Sequence, residues 1–167
     1  MQTRQIGVIS DTHGLLRPQA LAALEGSDLI IHAGDIGKPE ILDELEKLAP
    51  VVAVRGNNDR AEWAAILPEK RLVTVGEVSL YLLHILPELD LNPVERGIKA
   101  VISGHSHKPA IFYKEGVLYL NPGSAGPRRF KLLVSVALLS ITGHYLDPHL
   151  VELAVEVVAG DGKQGHA

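Results

Sequence analysis

The stretch Ile6-Gly7-Val8-Ile9-Ser10-Asp11-Thr12-His13 decides how the rest of the chain is read. Residues 6–9 form a short, mostly β-branched run, which suits a buried strand, and the run stops abruptly at polar residues that favour a turn. The same grammar recurs downstream. Residues 29–33 are apolar and lead into Gly34-Asp35, and residues 51–54 lead into Gly56-Asn57-Asn58-Asp59. Between these runs lie two helical patterns. Residues 18–24 begin with Pro18 and place Leu21 and Leu24 on one face; residues 39–48 place Ile41, Leu42, Leu45 and Leu48 on one face, opposite Glu40, Asp43, Glu44 and Glu46. Strand, helix, strand, helix, strand implies parallel strands joined by right-handed crossovers.

The second half reads as hairpins. Residues 72–75 and 78–83 flank Gly76-Glu77, and residues 111–114 and 117–120 flank Glu115-Gly116. Residues 101–103 follow a polar stretch, 88–96, with some helical character. Residues 134–141 and 151–157 are read as two closing strands, and residues 160–167 as a fraying polar tail. Two sheets packed face to face, with helices outside, accommodate this order in one domain spanning 1–167.

Bulk properties narrow the function. A formal charge of −4 disfavours stable nucleic-acid binding, and the absence of cysteine excludes disulfides and thiolate metal sites. The longest apolar run, residues 132–141, is interrupted by Ser135 and Ser140 and is too short to span a bilayer. With no signal-peptide pattern, the expected setting is the cytoplasm, without a membrane partner. A homo-oligomer is compatible with the sequence.

The chemistry lies at strand ends. Asp11 and His13, then Asp35, Asn57, His84, His105 and His107, each follow an apolar run. Loops leaving the carboxyl ends of strands in open α/β sheets converge on one crevice. Oxygen and imidazole ligands without sulfur suit divalent manganese, iron or zinc. Singly, these residues read as turn formers or sheet histidines. Gly104-His105-Ser106-His107 is more telling, since 16 glycines and 8 histidines in 167 residues give that pattern by chance only about 0.04 times. His32 is read as a core histidine, and Arg128, Arg129 and Lys131 as a solvated basic face ahead of a cluster that steers an anionic substrate.

In this order, Asp11-x-His13, Gly34-Asp35, Gly56-Asn57-x-Asp59, His84 and Gly104-His105-x-His107 resemble the calcineurin-like metallophosphoesterases. Asn121-Pro122-Gly123-Ser124 further resembles the YfcE-like branch of small phosphodiesterases. The resemblance implies a four-layer α/β/β/α sandwich with two divalent cations at its edge. Manganese ranks first, with iron, zinc, nickel and magnesium as alternatives. It implies Asp11, His13, Asp35 and His107 around one ion and Asp35, Asn57, His84 and His105 around the other, Asp35 bridging. The substrate is expected to be a small phosphate ester, most simply a diester, attacked in line by a hydroxide shared between ions roughly 3.5–4 Å apart.

Asp35, Asn58 and Asp59 are the candidate catalytic residues. Many relatives carry His where this chain has Asn58, and an amide cannot protonate a leaving group. Ile85 follows His84 where many relatives have Gly, which narrows the expected mouth of the site. The Asn121–Ser124 segment is read as a turn supporting the ligands, and Ser10, Ser103 and Ser106 as small residues beside them. Two other readings stand beside the diesterase: a monoesterase or nucleotidase on the same metals, and a non-catalytic scaffold like the retromer subunit of this fold.

Overall fold

A computed structural model describes residues 2–129 and 131–155. Two five-stranded sheets face each other. The first contains β1 (Thr3–Ile9), β2 (Leu29–His32), β3 (Val51–Ala53), β9 (Ser135–Thr142) and β10 (Tyr145–Glu152), in the order β10-β9-β1-β2-β3. The second contains β4 (Lys70–Val75), β5 (Val78–Leu83), β6 (Ile98–Ile102), β7 (Ala110–Lys114) and β8 (Val117–Asn121), in the order β4-β5-β6-β8-β7. β1, β2 and β3 run parallel, as do β5, β6 and β8, so each sheet sends three carboxyl ends to the same edge.

Strand alternation sorts the core into layers. Ile6, Val8, Ala137 and Leu139 of the first sheet meet Leu80, Leu82, Ala100 and Leu118 of the second. On the outer face of the first sheet, Ile9, Ile30 and Val136 pack against α1 (Pro18–Leu24) and α2 (Pro39–Glu46) through Leu24, Ile41 and Leu45. Gly7 allows this approach, because a Cβ there would lie 2.7 Å from both Leu24 Cδ2 and Ser27 Oγ. Each such fully buried aliphatic side chain contributes about 1.5–3 kcal/mol.

The outer face of the second sheet carries a thinner cover. Leu86, Leu89 and Leu91 lie over Leu83, Val101 and Val117. Leu86 comes from a 3-10 turn, Leu86–Glu88, and Leu89 and Leu91 from the irregular stretch between it and a turn over residues 93–97, where the sequence suggested helical character over 88–96. Ile98 joins this outer cluster because the β5–β6 register shifts between Ser79 and Leu80, so Ile98 and Ala100 face opposite ways.

The closing strand is a correction to the sequence reading. β10 begins at Tyr145, not at 151, and pairs back on β9 across the two-residue turn Gly143-His144. Pro148 lacks the ladder N–H, and an edge strand is where that loss is tolerated. Residues 153–155 are not strand, while 156–157 and the proposed tail 160–167 lie outside the described residues.

Candidate metal centre

The loops after β1 and β2 run side by side at the converging edge. Asp11 N–H donates to Gly34 O at 2.9 Å, His13 N–H to Asp35 O at 2.9 Å, and Gly14 N–H to Ile36 O at 2.8 Å. This ladder fixes Asp11, His13 and Asp35 as a unit. The backbone is strained there. Among the described residues, six non-glycine residues have positive φ, and five of them are Asp11 (55°), His13 (45°), Asp35 (55°), His105 (69°) and His107 (62°). The sixth, Glu115 (53°), sits in the β7–β8 hairpin turn. Left-handed backbone costs a residue with a Cβ about 1–2 kcal/mol, and concentrated strain of this kind marks functional sites.

Two triads of side chains result. Asp11, His13 and His107 form one and Asp35, His84 and His105 the other, with ligating atoms in each within 4.8 Å of one another. The triads adjoin. His13 Nε2 lies 3.6 Å from Asp11 Oδ1 and 3.7 Å from Asp35 Oδ2, and His84 Nε2 lies 3.2 Å from Asp35 Oδ2 and 3.8 Å from Asp11 Oδ1. His107 Nε2 is 3.3 Å from Asp11 Oδ1. Asp11 Oδ1, His13 Nε2, His84 Nε2 and His107 Nδ1 are buried without a hydrogen-bond partner. Buried polar atoms are seldom left so, and three of these converge, His13 Nε2 and His84 Nε2 lying 3.6 and 3.8 Å from Asp11 Oδ1, which is the expected imprint of cations. The residues present therefore fit divalent metal.

Surrounding groups orient the side chains of the two triads. Ser10 Oγ donates to Asp11 Oδ2 at 2.6 Å, and the His105 N–H donates to the same oxygen at 3.0 Å, leaving Oδ1 for the cluster. Gly104 is obligatory, since a Cβ would clash with Ser10 Oγ and lie 2.7 Å from Asp11 Oδ2. His84 Nδ1 donates to Ala33 O at 2.7 Å, which presents Nε2 as the lone-pair nitrogen. Asn121 Nδ2 donates to Gly104 O and Ser106 Oγ at 3.0 and 3.1 Å, and Ser124 Oγ donates to Asp11 O at 3.1 Å. The Asn121–Ser124 turn thus supports the site through its side-chain donors, while its own backbone carbonyls at Pro122 and Ser124 pair with Ser135. Ser10 acts as an orienting donor, a role its sequence reading as a small neighbour understated; its place directly before Asp11 was the available signal.

Burial raises the Asp11 pKa, but hydrogen bonds from His107 and His13 outweigh it and hold the group well below the usual carboxylate range. Asp35 follows the same pattern: burial raises it, and His84 with the Asn58 amide brings it below its ordinary value. Burial lowers His84, yet Asp35 and Asp11 raise it overall. His84 therefore holds a proton more readily than a free imidazole does, and a cation bound there would compete with that proton.

The three candidate catalytic residues divide. Asp35 sits in the cluster. Asn58 covers it, donating N–H to Oδ1 at 2.9 Å and Nδ2 to Oδ2 at 3.0 Å. Asp59 is buried with both oxygens taken by backbone amides, Oδ1 by Ile36 and Gly37 and Oδ2 by Gly56 and Ile36. It ties the loop after β2 to the loop after β3 and is not among the two triads. Asn57, on the exposed rim of the same loop, lines a groove with His84 and Ile85. His32 is fully buried. It accepts the Gly34 N–H on Nδ1 and meets Thr12 Oγ1 through Nε2, and Thr12 in turn donates to Ile36 O.

The family model of the calcineurin-like phosphoesterase superfamily domain matches residues 5–144. A probable metallophosphoesterase of Methanothermobacter thermautotrophicus is 39% identical over 164 residues, which cover 91% of this chain and 94% of that protein. An archaeal phosphodiesterase of known structure shares the fold at a TM-score of 0.73 and 24% identity, over 88% of this chain and 99% of its own. Vps29 of Chaetomium thermophilum does so at a TM-score of 0.73 and 18% identity, over 90% and 96%. The two structural likenesses bear on fold alone. The family match, resting on the same segment that builds the strained cluster, shows that the chain belongs to the calcineurin-like phosphoesterase superfamily.

Proposed function

We propose that the chain hydrolyses phosphodiesters at a centre of two divalent cations. The observation that carries this reading is the convergence of three unpartnered buried atoms, Asp11 Oδ1, His13 Nε2 and His84 Nε2, beside the Asp35 carboxylate, with His107 Nε2 3.3 Å from the first of them. Asp11, His13 and His107 would hold one cation, His84, His105 and Asn57 the other, and Asp35 both. Two such cations supply Lewis acidity, activating a water for attack and offsetting charge on the phosphoryl oxygens.

The chain's own residues do the rest. The depressed carboxylates of Asp11 and Asp35 stay ionised at neutral pH. Ala33 O fixes the tautomer of His84, and Ser10 with the His105 amide fixes the rotation of the Asp11 carboxylate. Asn58 lies over Asp35, toward the leaving oxygen in this reading. It can orient a phosphoryl group by hydrogen bonding but cannot donate a proton to an alkoxide. That favours diesters with good leaving groups over monoesters.

The test is to strip the protein of metal and reload it with manganese, iron, zinc, nickel or magnesium. Diesters and monoesters are then assayed while bound metal is counted. Hydrolysis of diesters with two metals bound, abolished by chelation, is the expected result. Tight folding with no metal uptake and no turnover would favour an interaction role such as the Vps29 likeness allows.

A further inference from the structure

Beside His105 the converging edge opens into a cleft of about 430 Å³ that the cluster itself does not use. Its walls are apolar and aromatic: Ile85, Leu86 and Pro87 on one side, Phe112 and Tyr119 on the other. Phe112 and Tyr119 are cross-strand partners of β7 and β8, with ring centroids 5.0 Å apart and planes within 2° of parallel. Phe112 is nonetheless 45% exposed, so the stack presents aromatic surface to solvent. Gly104, His105 and Ser106 form the floor, continuous with the metal centre, and Lys108 stands at the same wall. The volume lies within the range of small-ligand sites.

We propose that this cleft is the subsite for a planar aromatic group carried by the phosphodiester. The proposal rests on the phosphodiesterase reading above and names its substrate class. A stacked aromatic pair facing an aliphatic wall favours a flat π-system over an alkyl group of equal area. Asn58 reaches Asp35 from the loop after β3, where the leaving oxygen lies in that reading, whereas the cleft opens from the ends of β5, β6 and β8. The aromatic group is therefore on the ester that stays on phosphorus. Two sources share that chemistry, the base of a nucleotide and a simple aryl ester.

Three substrates separate the possibilities with one leaving group: methyl 4-nitrophenyl phosphate, phenyl 4-nitrophenyl phosphate and thymidine 5′-(4-nitrophenyl phosphate). In each, the water oxygen bonds to phosphorus, the P–O bond to nitrophenol breaks, and 4-nitrophenolate is read directly. The expected result is kcat/KM at least about tenfold higher for an aromatic spectator than for methyl, carried mainly by KM. Phe112→Ala should cut that preference about fivefold or more. Tyr145→Ala, exposed on the far sheet at β10, should leave it intact. A thymidine preference over phenyl assigns the subsite to nucleotide esters; parity assigns it to a bare aromatic ring.

A second readout is independent of turnover. Saturation-transfer NMR on metal-free protein should show contact with the rings of diphenyl phosphate, lost in Phe112→Ala. Equal kcat/KM for all three esters, or no ring contact, would overturn the subsite. Ring contact without hydrolysis of any ester by metal-loaded protein would instead overturn the phosphodiesterase reading.

Discussion

Asn58 holds both oxygens of Asp35, its main-chain N–H on Oδ1 at 2.9 Å and its side-chain amide on Oδ2 at 3.0 Å. The second bond falls on the oxygen nearest His84. Asn58 therefore covers the carboxylate proposed to bridge and, in the proposed mechanism, would stand where a leaving-group acid is needed. An aryl oxide departs without a proton, whereas an alkoxide needs one, and general-acid help is typically worth about 10²–10⁴-fold. The wild-type rate should fall steeply as leaving-group pKa rises. Asn58→His should flatten that dependence and raise rates selectively on alkyl esters, measured on a series of aryl and alkyl diesters at matched metal occupancy. Equal slopes in the two proteins would remove position 58 from the protonation step.

Asp35 and Asn57 differ in what their loss should do. Asp35 Oδ2 is within 3.7 Å of both His13 and His84, one from each triad, while Asn57 is an exposed rim residue. Asp35→Asn should disrupt binding of both cations and lower turnover more than Asn57→Ala, which should weaken one. Metal stoichiometry by elemental analysis, read beside kcat/KM, checks this. An Asp35→Asn protein that keeps two tight metals and normal turnover would refute the shared ligand.

Much of the candidate site was legible because its proposed ligands follow apolar runs, and a run's end is a strand's carboxyl end. Asp11, Asp35, His84 and His105 were placed by that rule alone. The left-handed backbone of Asp11, His13, Asp35, His105 and His107 was not, since a sequence advertises positive φ only through glycine or asparagine. Asp59 sits beside Asn58 in a motif that reads as catalytic, but only the folded loops reveal that three backbone amides occupy its carboxylate. The β10 strand was misplaced because its alternation is broken by Asp147, Pro148 and His149, so β9 and a two-residue turn, rather than its own pattern, impose it. The thin layer over the second sheet escaped for a similar reason, since Leu86, Leu89 and Leu91 follow no helical or strand period.

The Asp59 geometry predicts a structural phenotype. Asp59→Ala would orphan the buried amides of Ile36 and Gly56, each costing about 1–3 kcal/mol when left unpaired, and would release the exposed Gly37 amide to water. The variant should lose several kcal/mol of stability in urea unfolding, with metal affinity falling alongside. Asp59→Asn keeps one acceptor oxygen and should be intermediate. Unchanged stability with abolished turnover would return Asp59 to the catalytic group.

The last prediction concerns His32, whose ring is fully buried. Burial pushes its pKa down to about 4 from 6.5, against the opposing pull of Asp11 and Asp59. The hydrogen bonds agree with a neutral ring, since Nδ1 accepts from Gly34 N–H and so leaves the proton on Nε2, facing Thr12 Oγ1. The unfolded chain takes up a proton near pH 6.5 and the folded chain only near 4, so between those values the unfolded state binds more protons. Stability is therefore full above about pH 6.5 and is lost as pH falls toward 4, by roughly 3 kcal/mol in total, with a limiting slope of about 1.4 kcal/mol per pH unit. Other shifted groups act outside this window. His84 is raised, so its contribution is complete below 6.5 and fades as pH rises above it. Asp11 and Asp35 are lowered, so theirs fade only below 3.8. His32→Gln retains a donor toward Thr12 but loses the acceptor for Gly34. It should be less stable than wild type at pH 8, by about 1–2 kcal/mol, and nearly flat from 6.5 to 4, so the two curves converge on acidification. Urea unfolding of the metal-free proteins across that range, with NMR of the His32 tautomer at pH 5, checks it. Parallel curves, or a protonated His32 ring in folded protein at pH 5, would show that this histidine does not set the acid limit of the fold.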